Sequence, residues 1–403
     1  MIVILLNFIL ESFIMFPSFK SVIVVIQHLI NITFFLLFHR SLNFNKIFFL
    51  SPSIIILLFI SGLAILFSSD IFISLNFFLK FSFAILFIAI GYNFNSSIII
   101  SAILDKGYII LIIFLLNIAL SNLLNYGESL YDDSILIGFA SINSLYLPMV
   151  ISLIYLWFRD FQKEKVLRII TITLTIGVVI VFIILLKRTI LLWYGIFVVY
   201  YLLFHNKRER LFVYFIFITI IWVNVSPILD NAVAASLRAR ESRFNQDYNV
   251  LEEGRFTELN IVLKEMKMEP IQLLFGTGEV FNDNYFLGKY FESGERELHN
   301  SYVRIFWNSG LFGLILYFSF FVFHFRIALI EIFNYKKGSF QNIFSVFMLF
   351  LVFSRIINEF SSGNTYISYN CLTYLLIGSL IKSNSNFKVN SLIKKQFKST
   401  IPT

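Results

Sequence analysis

Residues 169–204, IITITLTIGVVIVFIILLKRTILLWYGIFVVYYLLF, decide the fold class because they contain two long apolar runs separated by one basic pair, Lys187 and Arg188. Each run has close to the length that crosses about 30 Å of hydrocarbon as a helix. Inside a bilayer the backbone groups find no water, so a helix is the structure that pairs them within one segment. The stretch therefore predicts two membrane-spanning helices joined by a short charged turn.

Apolar runs of this kind recur along the whole chain. Twelve spans are predicted, near residues 1–16, 21–38, 48–66, 71–92, 107–124, 135–158, 169–186, 190–204, 211–229, 301–325, 343–359 and 367–382. Of the 403 residues, 58% are hydrophobic and 14% are charged, whereas about a quarter of a soluble domain is charged. This composition excludes a soluble protein and predicts an all-α polytopic membrane protein.

Basic residues orient the spans, because Lys and Arg in short loops stay on the cytoplasmic side. Basic clusters lie on both sides of the opening stretch, at residues 159–168 and 207–210, and again at 326–337. All of them fall on one side of the membrane if twelve spans alternate. The net charge of +8 therefore reflects cytoplasmic loops, and no nucleic-acid partner is predicted.

One long hydrophilic segment falls on the opposite, outer side. The predicted order is spans one to nine in residues 1–229, a large periplasmic loop in 230–300, spans ten to twelve in 301–382, and a basic cytoplasmic tail in 383–403. Helices are predicted in the loop at 231–243 and at 256–268, the second ending at Pro270. The single cysteine, Cys371, excludes an internal disulfide and a cysteine-based metal site.

Two features of the outer face point to chemistry. Lys187 and Arg188 lie on the side where basic loop residues are disfavoured, which indicates either contact with lipid headgroups or an anion-binding role. Of five histidines, His299 is the one in the outer loop. Histidine suits a general base near neutral pH, and the alternative is a hydrogen-bonded interfacial side chain.

The sequence that follows this histidine is distinctive. Residues 299–313 read HNSYVRIFWNSGLFG and resemble the bacterial O-antigen ligase and O-antigen polymerase superfamily, in which His-Asn opens a span and Gly-x-x-Gly follows after nine residues. The match holds at His299, Asn300, Gly310 and Gly313. A second pattern of that superfamily, Arg followed after three residues by Leu, fits Arg188 to Leu192 and Arg255 to Leu259, and the phrase LFGTG at 274–278 is similar to it as well.

This resemblance implies a membrane glycosyltransferase fold of the C type, a glycan donor linked to undecaprenyl diphosphate, and no metal or other cofactor. It further implies that Arg188 and Arg255 bind the donor diphosphate and that His299 accepts a proton from the acceptor hydroxyl. Arginine suits the first role because its planar fork of donors stays protonated. For Arg255, a salt bridge with a neighbouring glutamate is the alternative.

Three further residues are predicted to support the site. Asn300 and Tyr302 would orient His299 or contact sugar, while Arg355 either supports the site or forms an ion pair with Glu359 one helical turn away. Gly310 and Gly313 indicate close helix packing. Two charged residues within predicted spans, Glu11 and Lys80, have no partner that the sequence indicates.

The predicted function is an O-antigen polymerase in the bacterial inner membrane, with its active site facing the periplasm. The composition, rich in Phe, Ile and Asn, suits the AT-rich genes of O-antigen clusters, and it therefore favours a polymerase over a ligase that transfers the polymer to lipid A core. A flippase for lipid-linked oligosaccharide comes third. A flippase is expected to have two similar halves and charged spans, whereas this chain has dissimilar halves and its charge is concentrated in one predicted loop. The predicted partners are an undecaprenyl-diphosphate-linked glycan, an acceptor glycan, membrane lipid and a chain-length regulator protein.

Overall fold

A computed structural model describes residues 1–12, 20–38, 52–68, 71–127, 136–137, 145–185, 188–205, 254–266, 269–277, 300–361 and 367–399. These residues form helices and turns, and no β-strand occurs among them. The all-α fold class predicted from the sequence is confirmed.

Fourteen α-helices are present within the described residues. They are α1 (Ile2–Glu11), α2 (Lys20–Phe38), α3 (Pro52–Ala64), α4 (Ile71–Asn93), α5 (Ser96–Lys106), α6 (Tyr108–Leu124), α7 (Tyr146–Phe158), α8 (Lys165–Ile184), α9 (Arg188–Phe204), α10 (Gly254–Met266), α11 (Pro270–Phe275), α12 (Ser301–Asn334), α13 (Phe340–Ser361) and α14 (Ile367–Ser399).

Five helical stretches of the described residues are long and apolar enough to cross a membrane: Ser74–Asn93, Ser96–Leu124, Lys165–Ile184, Ser301–Asn334 and Phe340–Ile357. Four shorter apolar helices accompany them: Ile2–Glu11, Val22–Leu37, Pro52–Leu63 and Thr189–Phe204. The chain is a multi-pass membrane protein. The full count of twelve stays a prediction, because the predicted span at 211–229 lies outside the described residues. The predicted loop helix at 231–243 also lies outside them.

Several helices extend beyond their predicted limits. The apolar segment 98–104, too short to cross a bilayer alone, belongs to α5, and α5 continues into α6 because Gly107 adopts helical torsion angles. Helix α14 runs to Ser399, through most of the predicted tail. In the predicted outer loop, α10 overlaps the predicted helix at 256–268, and its Val262 and Met266 side chains are buried.

The chain divides into two compact units. The first contains Met1–Leu36, Ile100–Leu259 and Tyr366–Tyr369, and the second contains Leu37–Ile99, Asn260–Thr365 and Asn370–Thr403. In the first unit α7 is the core helix, because all but one of its residues are buried. In the second, α12 packs on α3, α11 and α13, and this helix carries most of the predicted motif.

Polar side chains join helices inside the first unit. Asn7 on α1 and Asn31 on α2 exchange amide hydrogen bonds of 3.0 and 3.2 Å. The Glu11 carboxylate, for which the sequence indicated no partner, accepts hydrogen bonds from the backbone N–H of Ser368, at 2.9 Å, and from the Ser368 hydroxyl. Since Ser368 lies in the first turn of α14, Glu11 satisfies one of the N–H groups that a helix start leaves without an intrahelical acceptor.

Candidate functional site

Helix α12 begins with a side-chain cap supplied by Asn300. The backbone of Asn300 is extended (φ −98°, ψ 114°), and its Oδ1 accepts hydrogen bonds from the N–H groups of Tyr302, at 2.9 Å, and Val303, at 3.3 Å. Asparagine is among the preferred residues at this position because its side-chain oxygen satisfies N–H groups of the first turn. Asn300 is buried, and His299, which immediately precedes it, lies outside the described residues.

Tyr302 joins α12 to α13. Its hydroxyl donates a 3.0 Å hydrogen bond to the carbonyl oxygen of Ile356. Its ring packs edge-to-face against Tyr317 and Phe318, with centroids 6.0 and 6.3 Å away. Tyr302 is therefore held beside Arg355, the residue that precedes Ile356.

The ion pair predicted between Arg355 and Glu359 is confirmed. Arg355 Nε lies 2.5 Å from Glu359 Oε1, and the two side chains are 1% and 0% exposed. The guanidinium carbon of Arg355 lies 5.8 Å from the ring centroid of Tyr374. A buried charge requires such a partner, because leaving it unpaired costs several kcal/mol; the Arg355 charge is balanced within α13.

Two glycines from separate motifs meet at a kink in α12. Gly310 has non-helical torsion angles (φ 62°, ψ −164°), and Gly276, after α11, has φ 82° and ψ −176°. This region of backbone conformation is essentially restricted to glycine. A Cβ at Gly310 would lie 2.4 Å from the carbonyl oxygen of Leu274, and one at Gly276 would lie 2.2 Å from that of Asn308. Neither position has room for a side chain.

Hydrogen bonds fasten the same contact. The backbone N–H of Thr277 donates to the carbonyl of Trp307 at 2.9 Å, and the Thr277 hydroxyl donates to the same carbonyl at 3.2 Å. We call this contact between residues 274–277 and residues 307–310 the glycine interlock. Gly310 allows the close helix packing that the sequence indicated, since Leu274, which approaches it, lies in α11. Its positive φ and the kink at this position are additional features that the motif spacing did not indicate.

The two predicted phosphate-binding arginines occupy helix starts. Arg188 is the first residue of α9, and Arg255 is the second residue of α10. Both belong to the first unit, whereas Asn300, Tyr302 and Arg355 belong to the second. The side-chain contacts of the two arginines lie outside what the structure describes, so their grouping with His299 stays a prediction.

An apolar groove of about 890 Å³ lies between α12 and α13. It is lined by Tyr302, Leu314, Ile315, Phe318, Ser319, Val322, Ile356 and Ile357. Tyr302, two residues after the Asn300 cap, is part of this lining, and the residues from Leu314 to Val322 extend it along α12 for about two turns. Its lining suits a hydrocarbon chain.

Sequence inspection missed two buried polar residues of α12, Arg304 and Asn308, which are 5% and 2% exposed. They lie one turn apart on the face that also carries Ser301. Arg304 could have been recognised in the sequence, because it is a charged residue within the span that carries the motif, and ionisable residues inside membrane helices usually mark functional positions. Among the described residues, no three His, Cys, Asp or Glu side chains are grouped so as to hold a metal ion, and metal independence stays a prediction.

Comparison with known families agrees with the motif. Residues 173–318 match the family model described as O-antigen ligase. The matched interval contains both arginines, His299 and the glycine interlock, so the resemblance seen in the sequence is confirmed over this part of the chain. No curated protein matches the chain significantly. The family match supports an enzyme of the membrane glycosyltransferase kind, with O-antigen polymerase or ligase activity.

Proposed function

We propose that this protein is an O-antigen polymerase, which joins undecaprenyl-diphosphate-linked repeat units on the periplasmic face of the inner membrane. The observation that carries the proposal is the family match over residues 173–318. That interval includes the two outer arginines and the histidine, which are the residue types that transfer from a lipid diphosphate requires.

The proposed reaction is a displacement at the anomeric carbon of the donor sugar. A hydroxyl of the acceptor glycan forms a bond to that carbon, and the bond from the carbon to the diphosphate oxygen breaks with its electron pair on the oxygen. His299 accepts the proton of the attacking hydroxyl. Undecaprenyl diphosphate leaves, so catalysis mainly requires cations that stabilise the charge growing on the leaving oxygen.

Arg188 and Arg255 are proposed to supply those cations. Each stands in the first turn of its helix, where the partial positive charge of the helix end disfavours a cation and favours an anion. A diphosphate bound near either arginine would offset this cost. The cation and the helix end then attract the ligand together.

The second unit supports the role of His299 by fixing the residue next to it. The Asn300 cap and the glycine interlock both restrain the first turns of α12. A restrained backbone lowers the cost of aligning a general base with its substrate, since little freedom is lost when the reaction occurs. The apolar groove that Tyr302 lines offers space for part of the polyprenyl chain.

Ligase activity is the second candidate, because the matching family is described by that name. Polymerase and ligase use the same donor and differ in the acceptor, which is another lipid-linked repeat unit for the polymerase and lipid A core for the ligase. The lipid-linked oligosaccharide flippase stays third.

The test is the lipopolysaccharide of a strain from which the gene is deleted, separated on a gel. We expect core that carries a single repeat unit, because ligation continues without polymerisation. Bare core with polymer stranded on the carrier lipid would establish the ligase instead. Bare core without any polymer would reject both enzymes in favour of a flippase.

A further inference from the structure

One face of α12 is polar although it is buried. Ser301, Arg304 and Asn308 are spaced by three and four residues, which places them on one side of the helix. Their exposed fractions are 5%, 5% and 2%. Polar and ionisable groups inside membrane helices are costly, and they are found mostly where they face a partner or a ligand.

Asn308 is a residue of this face whose buried amide group has no hydrogen-bond partner within the part of the chain that the structure describes. Among the buried asparagines of the described residues, it is the one whose amide nitrogen and amide oxygen both lack a hydrogen-bond partner. Asn7 and Asn31 pair with each other, and Asn342 accepts from Gly338 and donates to Ile332. A buried amide without partners destabilises a fold, so its presence calls for a group that satisfies it.

The amide is also fixed in place. The carbonyl of Asn308 lies against Gly276, and the preceding carbonyl, of Trp307, accepts two hydrogen bonds from Thr277. The glycine interlock therefore holds the backbone on which the side chain stands. A polar group that is held rigidly and left unpaired is typical of a binding site that is formed before its ligand arrives.

We propose that Asn308 hydrogen-bonds a sugar hydroxyl of the lipid-linked glycan. This inference rests on the proposed function. An amide offers two donors and an acceptor, which match neighbouring hydroxyl groups. A phosphate, in contrast, is matched by a cation. Asn308 is thus a determinant of glycan binding and not of diphosphate binding.

The experiment measures the affinity of purified full-length protein in nanodiscs for two lipids. One is the repeat unit linked to undecaprenyl diphosphate, extracted as a whole lipid from the native host. The other is undecaprenyl diphosphate without a glycan, the bare lipid. Asn308→Leu is expected to weaken binding of the glycan-bearing lipid about tenfold, the value of one lost hydrogen bond, and to leave binding of the bare lipid unchanged. Its Tm is expected to rise, because an apolar side chain of similar shape replaces an unsatisfied amide.

Asn308→Ala is the second variant, in case the larger side chain disturbs the fold. Asn342→Leu is the matched control, since it removes a buried amide that is satisfied; its Tm is expected to fall while both affinities stay at the wild-type values. If both Asn308 variants keep wild-type affinity for the glycan-bearing lipid, the amide holds only water and the inference fails. Equal weakening of both lipids also overturns it. Wild-type protein that binds neither lipid would instead refute the proposed function.

Discussion

His299 adjoins the cap of α12, so its substitution tests the proposed chemistry at a single residue. His299→Ala is expected to lower the rate of transfer by at least about 10²-fold, the contribution of a general base. Donor affinity is expected to persist, because the lost interaction belongs to the transition state. Polymer formation and lipid affinity of the protein in nanodiscs provide the measurement.

Two further variants are compared with His299→Ala. Arg188→Lys keeps the charge but loses the planar fork, so it is expected to weaken donor affinity and rate together. His205→Ala, at the end of α9 where His205 stacks on Tyr201 with centroids 4.2 Å apart, is expected to transfer normally. Near-normal transfer by a well-folded His299→Ala protein would remove histidine from the mechanism.

The glycine interlock gives a second prediction at the residue scale. Gly310→Ala is expected to destabilise the protein by about 3 kcal/mol or more, because the torsion angles are strained for alanine and the new Cβ would meet the Leu274 carbonyl at 2.4 Å. The measurement is thermal unfolding in detergent micelles.

Gly195→Ala in α9 is the matched control for that substitution. A Cβ there would meet nothing within 4 Å, and alanine is favoured over glycine inside a helix by about 1 kcal/mol. The Tm of this variant is expected to be unchanged or higher. Equal Tm values for the two variants would contradict the strain assigned to Gly310.

At the scale of elements, the carboxylate of Glu11 attaches α1 to the start of α14. Glu11→Ala is expected to lower the free energy of unfolding by about 1–3 kcal/mol, because the Ser368 N–H and hydroxyl lose their acceptor. Thermal unfolding checks this. Asp105→Ala, which removes an exposed carboxylate on α5, is expected to change stability by less than about 0.5 kcal/mol. A similar small effect for Glu11→Ala would show that the contact contributes little.

The contact between Glu11 and Ser368 could not be predicted from the sequence, whereas other contacts could. Helix spacing was sufficient to predict the Arg355–Glu359 pair, because both residues lie on one helix. Glu11 and Ser368 are 357 residues apart, and no local pattern links them. Motif spacing likewise identified Gly310 but not its positive φ, since that angle depends on the backbone of Leu274 arriving from a separate helix.

For the whole molecule, orientation in the membrane determines which chemistry is accessible. A reporter that is active only in the periplasm is expected to be active when fused near residue 245 and inactive near residue 165 or at the C-terminus, because basic loops stay cytoplasmic. The reverse pattern would move Arg188 and His299 to the cytoplasm and end the proposed function.

The hydrogen bonds between Thr277 and Trp307 join positions thirty residues apart, and they act as a clasp for everything between them. Once a clasp holds both ends of a segment, each doubling of the segment's length costs only about 0.6 kcal/mol. Insertions between the two anchors are therefore expected to cost the fold little free energy. A variant with a glycine- and serine-rich insertion between residues 278 and 298 is expected to keep the wild-type Tm, whereas a large fall in Tm would show that the clasp is insufficient.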